Sequence, residues 1–228
     1  MFELLFGVII GLSQYFNERL LKKLHKYRIS LISFAAGLSS AYLFLLLLPE
    51  VFNGFMVLKN YIFLILFIGF ISIHISEKYI YKHVNKKRIK QDVRAVHHIT
   101  FFLYHIIIGI ILVTFLKQSF REGLLFFIPV WLHTTISSIA LTEMHKKIKQ
   151  ISISKILLSL STILGIIIAL LIMIPISIYY ILLSLITGSL IYIIVKDFTP
   201  KGKEGNLNMF ILGIISYSLI IILSRIIF

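Results

Sequence analysis

The sequence predicts an all-α polytopic membrane protein: eight transmembrane helices, arranged as inverted three-helix repeats around a central helix pair. Three observations predict it. The 228 residues are 59% hydrophobic with a mean hydropathy of +0.99, more apolar surface than a water-soluble chain of this length can hide. The apolar residues gather into eight runs, most of spanning length, at about 2–20, 30–52, 59–77, 96–116, 122–143, 155–174, 176–196 and 207–227. The basic residues sort into alternate connections between those runs.

The first run, in MFELLFGVIIGLSQYFNERLLKK, has an acidic residue before it and basic residues after it. A cleavable signal peptide has the opposite polarity, and no lipidation signal is present, so this run reads as the first transmembrane helix. The sixth and seventh runs are separated only by Pro175 and its neighbours, which predicts a tight hairpin. The third connection, about Lys78 to Arg94, is the one sizeable loop. Its KHVNKKRIKQ segment reads as a basic face resting on anionic headgroups, with metal contact through His83 as the alternative.

Connections one, three, five and seven hold 19 of the 23 Lys and Arg residues; the other faces keep Lys59, Lys117, Arg121 and Arg225. Odd connections are therefore cytoplasmic and both termini lie outside, in a cell membrane. The same sorting removes nucleic acid as a partner despite the net charge of +14. The chain has no cysteine, which excludes disulfides and thiolate ligands. The whole chain, 1–228, reads as a single transmembrane domain.

Within that domain a 151-residue shift lays the second run on the seventh, matching Ser33 with Ser184, Gly37 with Gly188 and Pro49 with Pro200. The two runs cross in opposite directions. Repeat 1 (about 1–77) and repeat 2 (about 155–228) then flank a central pair (about 96–143), a plan typical of secondary transporters with a site near the midplane. Small residues recurring for helix packing are the alternative source of these matches.

The central pair carries a histidine near the middle of each run, His105 and His133. At about 1.5 Å per residue, His105 lies about 14 Å along its helix and His133 about 15 Å along the next. Both reach the middle of a hydrocarbon core about 30 Å thick, where ionisable groups face a protein-lined or wet interior. Contact with a metal ion or a proton, and hydrogen bonding across a helix interface, are the two readings of this pair. The fifth helix adds a polar stripe of Thr134, Ser137, Ser138 and Thr142, open to a packing role. On the fourth, His98 shares the face of His105, with Tyr104 at its border. Glu50 and Glu143 stand near the outer and inner mouths of the path so formed. No nucleophile with a positioned base, no His-Glu-x-x-His and no paired intramembrane acids are found, so the chain does not read as an enzyme.

SFAAGLSSAYLFLLLLPE and TGSLIYIIVKDFTP resemble the second and seventh helices of the ZIP (Zrt/Irt-like) metal transporter family. Eight helices, external termini and a longest loop between spans three and four fit as well. The resemblance covers essentially the whole chain. It implies transport of a divalent cation, zinc or iron, toward the cytoplasm as cargo with no permanent cofactor, and a possible homodimer. In the family's ligand positions this sequence has Tyr104, His105 and Ile108 on helix four, His133, Thr134 and Ser137 on helix five, and Leu46 before Pro49-Glu50. The carboxylate-bridged two-metal centre is therefore replaced. The resemblance implies His133 as the retained ligand, His105 as its partner, and Tyr104, Thr134 and Ser137 as oxygen ligands or water anchors. A ZIP-fold scaffold or helper that has lost its metal ligands is the second implied reading.

Overall fold

The computed structural model describes residues 2–16, 27–83, 89–144, 152–198 and 205–227. Among the described residues there is no strand, in keeping with a backbone that must satisfy its own hydrogen bonds in hydrocarbon. Eight long helices follow the eight apolar runs: α1 (Phe2–Tyr15), α2 (Arg28–Tyr42), α3 (Tyr61–His83), α4 (Ile89–Gln118), α5 (Phe120–Met144), α6 (Ser152–Leu171), α7 (Ile176–Ile193) and α8 (Leu207–Ile227). The stretches Ile29–Leu58, His98–Gln118, Ile176–Lys196 and Leu207–Ile226 are long and apolar enough to cross a membrane; Phe2–Tyr15, Tyr61–Ser76 and Ile156–Leu171 are shorter apolar helices. Large apolar side chains such as Phe44, Leu64, Leu171 and Ile222 cover the outside as well. Helices apolar on every side are those of an integral membrane protein.

The expected loop from about Lys78 to Arg94 is largely helical: α3 runs on to His83, and α4 starts at Ile89. Charge ended the apolar run, not the helix, because Lys, Arg and Gln are good helix formers. Residues 84–88 lie outside the described residues, as do Pro200 and its neighbours. Between α6 and α7 the chain turns through Ile172–Pro175, with Pro175 as the N-cap at φ −60° and ψ 146°.

The helices pack as two groups. In one, α2 lies along α8 and α3 along α7; in the other, α6 packs on α4 and α1, and α5 packs on α4 and α1. The long pairings are glycine crossings. A Cβ on Gly37 would fall on the carbonyl oxygen of Phe210, and one on Gly213 on that of Phe34. In the other pair, Gly188 meets Leu66 and Gly69 meets Leu185 in the same way. Gly109 and Gly165 do so between α4 and α6, against Thr162 and Ile106. Backbones that close need glycine on both sides.

α2 continues through a π-helical turn, Leu43–Leu47, into Leu48–Asn53, and α7 continues into a π-helical turn, Ile194–Phe198. The two turns start 151 residues apart, as do Gly37 and Gly188.

Two cations at the α4–α5 junction cap helix ends. Lys117 Nζ donates to the Ala169 carbonyl at the end of α6 (3.5 Å), and Arg121 donates to that of Ser224 at the end of α8 (3.3 Å). The negative end of each helix favours this placement.

Candidate functional site

The two groups of helices meet where α5 lies against α2 and α8, and α4 against α7 and α3. At this seam the structure places His105 and Thr134 with no exposure, His133 at 4% and Ser39 at 0%. Ser39 is on α2, His105 on α4, and His133 and Thr134 on α5, so three helices from both groups supply the cluster.

His105 Nδ1 lies 2.8 Å from the Phe101 carbonyl oxygen. A carbonyl only accepts, so in the neutral imidazole Nδ1 holds the proton and Nε2 is the lone-pair site. The Thr134 hydroxyl, 3.2 Å away, donates to Nε2. His133 Nδ1 and the Ser39 hydroxyl are hydrogen-bonded at 3.1 Å, across the seam. Most serines and threonines of the described helices bond back to a carbonyl three or four residues earlier, as Ser40 does to Ala36. Ser39 and Thr134 turn to the imidazoles.

Chemically the cluster offers imidazole nitrogens and hydroxyl oxygens. These are ligands suited to borderline cations, and a cation at His105 Nε2 requires Thr134 to swing away. Among the described residues, no group of three or more His, Cys, Asp and Glu is placed to hold a metal.

Tyr104, one residue before His105, is buried in the apolar core, its ring 5.5 Å from that of His105. His98 is half-buried two turns before His105 on α4. Glu50 is far along the α2 line from Ser39, where it accepts hydrogen bonds from Asn53 (2.9 Å) and the Tyr179 hydroxyl (3.1 Å). The side chains of Ser137, Ser138, Thr142 and Glu143 lie outside the described ones. Leu46 is buried in the apolar core.

Between the cluster and Glu50 stands an aromatic layer. Tyr42 packs edge-on against Phe126 (6.0 Å) and Tyr217 (5.8 Å). Phe115 stacks on Phe126 (4.9 Å) and meets Tyr179 edge-on (6.4 Å). These rings come from five helices and close the seam on the Glu50 side.

Ser39 is the cluster member that sequence reasoning missed. Its only signal was a hydroxyl two residues after Gly37, on the helix that glycine lets approach closely. Neither a protein-family model nor a curated protein matches this chain.

Proposed function

We propose that this chain is a ZIP-like carrier of a divalent cation of the zinc or iron type, moving it toward the cytoplasm through the seam between the two helix groups. In this reading all eight helices span a cell membrane, both termini lie outside, and α1–α3 and α6–α8 are inverted repeats around α4 and α5. The reciprocal glycine crossings and the paired π-helical turns support the repeats. One observation carries the transport reading: His133 and its bonded partner Ser39 sit on opposite helix groups, with His105 and Thr134 bonded beside them, midway along α4 and α5. Rocking of one group against the other exposes such a site to each side in turn. His105 Nε2 and His133 are the cargo's nitrogen ligands; Thr134 and Ser39 supply oxygen when they release the imidazoles. Ser137 and Tyr104 are further oxygen ligands or water anchors. His98, Ser138 and Glu143 line the way inward, and Glu50 lies at the outer mouth.

A second reading, a non-transporting ZIP-fold scaffold, is favoured by a different observation. Both ring nitrogens of His105 already have protein partners, as a structural histidine's should.

Zinc and iron(II) flux into proteoliposomes, beside His133→Ala and His105→Ala, separates the two. Saturable flux lost in both variants supports the carrier. A folded protein with no flux above empty vesicles leaves the scaffold.

A further inference from the structure

Phe2 lies beside Phe120 with ring centroids 5.0 Å apart, Phe6 stacks on Phe127 at 4.2 Å, and Trp131 Nε1 donates to Ser13 Oγ at 2.7 Å. These three pairs set α1 and α5 parallel and in register. Gln14 therefore lies at the depth of Leu132 to Thr135, level with His133. It falls on the face of α1 that buries Gly7, Ile10 and Gly11, one turn beyond Gly11, where α1 crosses Ser159 of α6. Both polar atoms of its amide are buried and have no hydrogen-bond partner.

Thr162, on α6 of the same helix group, has no exposure, and its hydroxyl too has no partner. Its neighbours Ser159 and Ser161 bond back to carbonyls three residues earlier; Thr162 does not. Its backbone meets Gly109, one turn along α4 from His105. An amide needs an acceptor for its N–H groups as well as a donor for its oxygen. A bare cation meets only the second need, and water meets both.

We infer that the interior of the α1, α4, α5 and α6 group holds bound water at Gln14 and at Thr162, which satisfies the buried amide and the buried hydroxyl. The water sites stand on burial and hydrogen bonding alone, independently of the carrier reading.

The test uses the full chain in lipid nanodiscs with two volume-conserving variants, Gln14→Met and Thr162→Val. Where water fills the site, each variant removes a made hydrogen bond and lowers the unfolding midpoint by about 2–8 °C. A midpoint that stays or rises in both variants means a dry core and overturns the inference. Radiolytic hydroxyl-radical footprinting of the unsubstituted protein reads the same point without relying on variants. Radicals form from bound water, so the fully buried Ile10, one turn from Gln14, is expected to oxidise several-fold faster than the equally buried Ile62. Equal rates overturn the site. Flux in proteoliposomes keeps the two readings apart. Midpoint loss and Ile10 oxidation without flux defeat the carrier and leave the water; flux without either signature does the reverse.

Discussion

Tyr217 donates its hydroxyl to the Leu125 carbonyl at 2.9 Å, and Pro129 is why that carbonyl is free to accept. Pro129 sits inside α5 and has no N–H, so the carbonyl four residues before it loses its helical donor. In hydrocarbon an orphaned carbonyl is costly, and a neighbouring helix can supply the missing bond. The bond also joins α8 to α5 across the seam, so any rocking of the two groups must break or carry it.

Tyr217→Phe is therefore expected to cost about 1–3 kcal/mol, seen as a drop of about 2–4 °C in unfolding midpoint per kcal/mol. Pro129→Ala restores the amide that Leu125 lacks. Thermal unfolding of both single variants and the double variant checks this: the double should lose clearly less than the sum. Additive losses would mean that Tyr217 contributes by packing alone.

The glycine crossings make a second prediction. At Gly37 and Gly188 an added Cβ meets backbone, Phe210 and Leu66 respectively, whereas at Gly123 it meets the Leu116 side chain. Backbone cannot rotate away. Gly37→Ala and Gly188→Ala should each destabilise by about 1–3 kcal/mol and by similar amounts, with Gly123→Ala well below both, in the same unfolding assay. A marked difference between Gly37→Ala and Gly188→Ala would count against equivalent roles for the two crossings.

Those glycines were readable in the sequence because a close crossing admits no other residue, so the 151-residue shift carried a physical constraint as well as a pattern. The π-helical turns were not readable. LFLLL and IVKDF share no residue at any matched position, and nothing local marks an extra residue in a turn. That His105 and His133 stand midway along their helices followed from counting, but the partner of His133 did not. Ser39 and Ser40 are equivalent on paper. Which of them turns toward α5 and which bonds back to Ala36 is decided by the crossing of α2 over a helix 94 residues away. The ends of α3 and α4 were misjudged for a simpler reason: charge was taken as a stop signal where the residues are good helix formers.

The proposed orientation is directly measurable, because the chain has no cysteine to confuse labelling. Lys59 ends the short Phe55–Leu58 helix at φ 52°, and Lys82 lies near the end of α3; both are exposed. In intact cells Lys59→Cys should react with a membrane-impermeant maleimide and Lys82→Cys only after permeabilisation. The reverse pattern would place the basic connections outside and reverse the expected flux.

Thr134 separates the carrier from the scaffold without measuring flux. Its hydroxyl occupies the Nε2 lone pair of His105, the group a cation would need, while Phe101 holds Nδ1 in place. Thr134→Val keeps the volume and removes that donor, leaving Nε2 buried without it. Stability without metal should fall by about 1–3 kcal/mol, and Thr134→Ser should restore most of it. A ligand that binds only the folded state raises the unfolding midpoint in step with its affinity. Added zinc should therefore raise the midpoint of the unsubstituted chain and of Thr134→Ser more than that of Thr134→Val, which has lost an oxygen ligand, and His133→Ala should abolish the rise. If zinc leaves every midpoint unchanged while Thr134→Val still loses stability, the histidines hold helices together rather than cargo.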